Sequence, residues 1–240
     1  MLVRLVHFRF KSTCSLSDCK TTKHFRFSAS NLSSSELAVF CSHHAATCYG
    51  IIHMKRSPDT IELLMSRRSL LAGKLIEPGP TEEELEKILI CATRVPDHKG
   101  ICPWRIQVVD RANQDILHAK LPELHEGDPA SLEKTNSKEA KTAPLLLIVS
   151  SYTPSRKAPR CEQILSGAAV CQNILIACSA LGYRSQWLTE WFAYNEKVKE
   201  YLGIPTIEDV IGFIYIGTGS ETPKERPRPN VSDIVTRLNL

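Results

Sequence analysis

The chain has 240 residues, the length of one globular domain with an appendage, and no uninterrupted apolar run attains the 18 residues a membrane-crossing helix needs. Hydrophobic residues make up 42%, so the composition can fill a sizeable core. The net charge of +4 is local: residues 1–53 hold six Lys/Arg against Asp18 and Glu36, and in the remainder 24 cations meet 24 anions. A general basic footprint for nucleic acid is therefore absent, and neither a nucleic-acid nor a membrane partner is expected.

Residues 1–53 lack sustained apolar periodicity and are rich in Ser, Cys and His. They are expected to be an unstructured extension, either upstream sequence read through to a natural start at Met54 or a basic, acid-poor targeting segment. Cys14, Cys19, Cys41, His43, His44 and Cys48 offer zinc-ligand chemistry, but their spacing matches no standard zinc pattern, so no metal is expected. The nine cysteines, an odd number partly on apolar helical faces, read as free thiols in a reducing, cytoplasmic setting; organelle targeting by residues 1–53 is the alternative.

The working domain is expected over residues 54–240. Ser57 and Pro58 form a helix start, with Ile61, Leu64, Met65 and Arg68 at helical spacing and "SRRS" at the end. After the turn "EPGP", Thr81 and Glu84 form a capping box, and Leu85, Ile88, Leu89 and Ala92 make the buried face of a second helix. That helix must end by Val95, because the residue before Pro96 is pushed out of helical space. The loop "RVPDHKGICPW", Arg94 to Trp104, is too basic for a core and too rigid for a linker.

Arg105–Asp110 reads as a strand, residues 112–142 as charged and partly helical, and Ala143–Ser151 as a fully buried strand. Glu162–Gly182 is apolar almost all round, which places it at the centre of a core or interface, with Cys171 and Cys178 as small core hydrophobes and Gly182 as C-cap. "YRSQWLTE" reads as a strand and turn, "NEKVKEYLG" as a short helix closed by Gly203, and Asp209–Thr218 as a second buried strand. Two interior strands among four or more helices give an α+β three-layer domain. No G-x-G-x-x-G or P-loop sequence supports a nucleotide fold of the usual kinds.

Cations gather at element ends: Arg67 and Arg68 after the first helix, Arg94, His98 and Lys99 around the second, and Arg226 and Arg228 in the tail. Singly, each reads as a solvated charge at a helix terminus. Jointly, guanidinium groups beside Ser69 and a Pro-bounded loop suit a phosphorylated planar ligand. Neither Ser66 nor Ser69 has a sequence-evident base, so any redox chemistry would belong to a cofactor.

The ordered set "RRS", "RVPDHKGICPW", "PRCEQILSGAAVCQNILIACSALGYRSQW" and "IGFIYIGT" resembles the flavin-dependent nitroreductase family, most closely its small single-domain bacterial NAD(P)H nitroreductases. The resemblance covers Met54 to Leu240. It implies a nitroreductase-like three-layer fold with a mostly antiparallel central sheet flanked by helices. It also implies an interlocked homodimer with FMN at the interface, and ping-pong transfer of a hydride from NADH or NADPH to a nitro compound, quinone or similar small-molecule acceptor. By the same resemblance Arg67, Arg68, Ser69, Arg94, His98, Trp187, Leu188 and Thr189 are expected to hold FMN, with Arg226 or Arg228 adding to the phosphate site. No side chain is expected to be catalytic in its own right, since FMN carries the hydride. Cys102 stands where the family usually has glutamine, Arg105 where it has histidine, and "WLTE" replaces "WRSG". These departures bear on substrate choice. A flavin-binding or flavin-handling protein of the same fold without nitroreductase turnover is the alternative, and a basic binding module built on residues 1–53 a further one.

Overall fold

Four strands build one antiparallel sheet in the order β1-β2-β4-β3. They are β1 (Trp104–Asp110), β2 (Leu145–Ser151), β3 (Arg184–Leu188) and β4 (Asp209–Gly217). The structure, a computed structural model, describes residues 56–127, 142–152 and 157–240. Residues 1–55, with the zinc and targeting readings placed on them, lie outside the described residues.

The two strands expected to be interior occupy the centre. Every residue of β2 is buried, as an uninterrupted apolar run requires when both sheet faces are covered. Helices α1 (Pro58–Ser66), α2 (Glu82–Ala92), α3 (Arg111–Leu124), α4 (Arg160–Ala180), α5 (Glu196–Tyr201) and α6 (Val231–Ile234) complete the described elements. On one face, Leu147 and Val149 of β2 and Ile214 and Ile216 of β4 pack with Ile88 of α2 and Val170, Ile174 and Cys178 of α4. On the other, Leu146, Ile148, Phe213 and Tyr215 pack with Leu117 of α3, Phe192 and Val198. Side-chain alternation along each strand thus yields the three-layer α+β architecture.

Local signals act where expected. The capping box forms: Thr81 Oγ1 accepts from the Glu84 amide at 3.3 Å, and Glu84 Oε2 accepts from the Thr81 amide at 3.0 Å. Tyr183 adds a hydroxyl donor to the same carboxylate at 2.8 Å. Gly182, at φ 87°, ends α4 in a Schellman motif, with the Tyr183 amide on the Cys178 carbonyl at 2.9 Å and the Gly182 amide on Ser179 at 3.1 Å. Cys171 and Cys178 are fully buried, and burial pushes both thiols up to about 12, which makes them inert core residues. By length and composition α4 could cross a bilayer, yet nine of its residues are buried in this core.

One expectation needs correction. Ser57 precedes α1 but makes no capping bond to the backbone; its hydroxyl meets that of Thr60 at 2.7 Å. No residue of α1 is buried, so Ile61, Leu64 and Met65 are not core residues of this chain. Gly167 of α4 makes room for the Ile211 side chain: a Cβ there would lie 3.1 Å from Ile211 Cγ1.

Candidate functional site

The segment after α1 is stitched to edge strand β3. The Leu70 amide donates to the Ser185 carbonyl at 3.3 Å, and the Ala72 amide to Gln186 Oε1 at 2.5 Å. Leu70 and Ala72 are buried, so the hydrophobic anchor fixes the chain directly after Arg67–Ser69. Leu70, directly after Arg67–Ser69, thus lies beside Ser185 of β3, the strand that also carries Trp187 and Leu188; Thr189 follows it.

Trp187 is held from behind. Its Nε1 donates to the Ile211 carbonyl at 3.0 Å, and its ring lies over Gly212, where a Cβ would fall 2.0 Å from Nε1. Close approach of an indole to backbone is possible because position 212 has no side chain.

The arginines are short of partners. Arg68 Nη1 turns back onto the end of α1, donating to the Met65 carbonyl at 3.1 Å and to that of Arg67 at 2.8 Å. Its Nη2 pairs with Glu225. Arg68 Nε and Arg67 Nη1 are buried with no hydrogen-bond partner. Burial first, then the nearby charges of Arg228 and Arg68, hold the Arg67 guanidinium below its ordinary value. Buried guanidinium nitrogens facing other cations are costly unless an anion joins them. The tail arginine Arg228 thus joins this cluster, while Arg226 contributes only a backbone contact to Glu225 at 3.1 Å.

The loop Arg94–Trp104 sits elsewhere, on α4. His98 Nδ1 meets Glu162 Oε2 at 2.5 Å. Trp104 Nε1 donates to Ser166 Oγ at 2.8 Å, and Ser166 Oγ donates to the Pro96 carbonyl at 2.7 Å. Asn173 Nδ2 donates to the carbonyls of Cys91 and Arg94 at 3.0 and 3.2 Å. Within the loop, Asp97 accepts from the amides of Ile101 and Cys102 at 3.1 and 2.7 Å. Lys99 and Cys102 sit at φ 62° and 49°. The loop is stiff because of these bonds, not only because of its two prolines. A cleft of about 460 Å³ opens between His98 and the α4 face carrying Glu162, Leu165 and Ala169. Among the described residues no hydrogen bond or ion pair joins Arg94 or His98 to the Arg67–Ser69 cluster. Glu162, Ser166 and Asn173 were missed from sequence; their signal is polar residues at i, i+4 and i+11, one face of a helix otherwise apolar.

Arg105 has an unexpected position. It lies on the sheet face opposite Trp104, by strand alternation. Its Nε is 3.1 Å from Glu208 Oε1 and its guanidinium stacks 4.4 Å over Tyr152. The approach to Oε1 lacks hydrogen-bond alignment, so Arg105 supplies charge attraction, while Ser150 Oγ donates to Oε2 at 2.7 Å. Glu208 is 1% exposed. Arg105→Met should therefore destabilise the fold by about 1–3 kcal/mol, the cost of a buried charged group left short of partners. It should leave the acceptor profile unchanged. Urea unfolding read beside turnover on several acceptors checks this, and a changed profile at unchanged stability would restore Arg105 as a substrate residue.

Glu190, where the family usually has glycine, adopts φ 53° and ψ 176°. That region is essentially reserved for glycine and costs an ordinary residue about 1–3 kcal/mol. Glu190→Gly is accordingly expected to raise stability by about that amount, and no change in denaturation midpoint would mean the strain is relieved some other way. Burial, with the Glu190 charge second, pushes the Tyr215 phenol upward.

The Nitroreductase family profile matches residues 75–218, well over half of the chain. The chain belongs to the nitroreductase family. It is 29% identical over 163 residues to Escherichia coli K12 YdjA, provisionally named an NAD(P)H nitroreductase, covering 67% of this chain and 88% of that protein. A Haemophilus influenzae protein with the same provisional name is 29% identical over 187 residues, covering 75% of this chain and all of the relative. Two solved structures share the fold. A nitroreductase-like protein from Bacillus cereus superposes with TM-score 0.67 at 19% identity, over 77% of this chain and 98% of that one. A nitroreductase with bound FMN from Bacteroides fragilis gives 0.60 at 18% identity, over 76% and 100%. The matched residues begin after Arg67–Ser69, so the arginine cluster of this family member rests on its own geometry.

Proposed function

We propose that the chain is an FMN-dependent oxidoreductase that takes a hydride from NADH or NADPH and reduces nitro compounds, quinones or similar acceptors. The observation that carries this reading is the pair of buried, unpartnered guanidinium nitrogens, Arg67 Nη1 and Arg68 Nε, beside β3. With Arg228 the cluster holds three positive charges against one carboxylate, Glu225. The cluster is positive with or without Glu225, which suits a phosphate monoester carrying about −1.5 to −2 at neutral pH. The names of YdjA and of the Bacteroides fragilis structure support the same assignment.

In this reading Arg67, Arg68 and Arg228 bind the phosphate, with Ser69 at the same turn. The segment Trp187–Thr189 is taken to pass beside the flavin ring; Trp187 and Leu188 pack on opposite faces of the sheet, so only one of the two can wall it. FMN, when bound, supplies the hydride relay. The chain's residues bind and orient it and keep the acceptor close; proximity then does much of the work. Arg94 and His98 belong to the site through a second copy. The exposed apolar residues Ile61, Leu64 and Met65 of α1, beside a groove of about 500 Å³, and Leu165 on α4 support such a homodimer. The five free cysteines among the described residues support a reducing, cytoplasmic setting.

The test is a visible spectrum of the purified full chain. A flavin band that bleaches anaerobically with NADH or NADPH and returns with a nitroaromatic supports the reading; a colourless protein that cannot be reconstituted with FMN rejects it. A flavin band that no nicotinamide nucleotide bleaches would select flavin handling without turnover. Residues 54–240 are proposed to suffice. Removal of residues 1–53 should leave flavin content intact, and a colourless, aggregated product would place that segment in the fold.

A further inference from the structure

Glu225 is oddly placed for a phosphate site. A carboxylate in an arginine cluster takes up the donors that an anionic ligand needs. The bidentate edge of Arg68 is Nε and Nη2. Nη2 is held by Glu225, and Nε is buried without a partner. Nη1 is committed to the Met65 and Arg67 carbonyls and is not available instead. Glu225 Oε1 also lies 3.4 Å from Arg228 Nε. One carboxylate thus engages two of the three arginines, yet satisfies only half of the Arg68 edge.

The tail that carries Glu225 is anchored before it reaches the cluster. Thr218 pairs with Ile76 through both backbone bonds, at 2.9 and 2.8 Å, and Glu221 pairs with Lys74 at 2.5 Å. Beyond Glu221, among the described residues, the ion pair that ties the tail to the α1 end is that of Glu225 with Arg68. Glu225 is half exposed, at 52%, whereas Arg68 is 21% exposed. Its carboxylate can leave for water without breaking the Thr218–Ile76 pairing.

We propose that Glu225 is a built-in counter-ion: it neutralises the Arg68–Arg228 pair in the cofactor-free chain and is displaced by the cofactor phosphate, so that it lowers the chain's affinity for phosphorylated flavin. The proposal rests on the reading that the arginine cluster takes a phosphate. Displacement replaces one partly solvated carboxylate by a dianion that can fill both Nε and Nη2 of Arg68. It also meets the orphaned Arg67 Nη1. The exchange is favourable, but by less than if the arginines stood unpaired.

The experiment compares FMN with riboflavin, which has the same ring system and no phosphate, on the full chain stripped of flavin. Flavin fluorescence gives both dissociation constants for wild type, Glu225→Gln and Glu225→Ala. Wild type should prefer FMN over riboflavin. Both variants should bind FMN about 2- to 10-fold tighter, the range for removing a partly exposed ion pair, with riboflavin binding unchanged. The flavin-free variants should melt below wild type, because the arginines then repel without a counter-ion. If wild type prefers FMN but the variants bind it equally or more weakly, Glu225 is no competitor, and weaker binding would make it a residue that positions Arg68. If wild type does not distinguish FMN from riboflavin, the phosphate reading fails and this inference with it.

Discussion

Arg67→Ala is expected to lower the affinity for FMN by about 1.5–3 kcal/mol, roughly 10- to 150-fold, and Arg68→Ala to do the same. The size follows from losing a charge-assisted contact in a partly buried place. Arg67 Nη1 and Arg68 Nε are the donors with nothing to bond in the chain itself. Each variant also relieves repulsion, since Arg67 is held below its ordinary value by burial and by Arg228 and Arg68. Arg67→Ala should therefore leave the melting temperature of the flavin-free chain level or raise it, whereas Arg68→Ala also loses the bonds to the Met65 and Arg67 carbonyls and the Glu225 pair and should not raise it. Riboflavin affinity should stay put. Flavin retention through gel filtration, read with fluorescence titration, measures all of this. Unchanged FMN affinity in both variants would reject the phosphate assignment.

Gly212→Ala should be the most disruptive small change in the sheet. The new methyl would lie 2.0 Å from Trp187 Nε1 and 2.3 Å from Cδ1, far inside contact distance. The indole must leave, and its 3.0 Å bond to the Ile211 carbonyl goes with it. Overpacking of this kind costs about 1–3 kcal/mol, and the lost bond about 0.5–1.5 kcal/mol. Because Trp187 shares β3 with Leu188 and the Gln186 side chain that holds Ala72, the change should reach the arginine turn as well. Urea unfolding and flavin content should fall together in the variant. A stable Gly212→Ala protein with full flavin content would show that Trp187 has another resting place.

Much of the fold could be read in the residues. Leu145–Val149 is an unbroken apolar run and Val210–Gly217 lacks any charged residue, and both belong to interior strands. Thr81 and Glu84 make the capping box that their spacing announces. Gly182 ends its helix for want of a Cβ. Such signals are local: a hydroxyl three residues from a carboxylate, or a glycine after an apolar helix, acts within one or two turns of chain. The site residues were legible as a set of types, not as a place. Arg67, Arg68 and Ser69 could be named, and so could Trp187–Thr189. Nothing in the order of residues shows that Leu70 bonds to Ser185 and so ties the residue after Ser69 to the start of β3.

The least legible features are those that join distant parts of the chain. Arg105 reads as a departure in a flavin-facing loop, yet strand alternation turns it to the other face of the sheet and gives it Glu208. Ile61, Leu64 and Met65 have helical periodicity and are exposed in this chain, because periodicity marks a helix face and not what packs on it. Glu190 reads as an ordinary acidic residue, and only the backbone reveals that it occupies a glycine conformation. Glu225 reads as one charge in a basic tail, and only packing brings it to Arg68 and Arg228. By itself the sequence determined the elements, their caps, the buried strands and the chemical types at the site, because short-range sterics and hydrophobic spacing act along the chain. The tertiary structure decided which charges meet and which buried nitrogens remain without a partner, because those depend on distances across the fold that sequence separation does not encode.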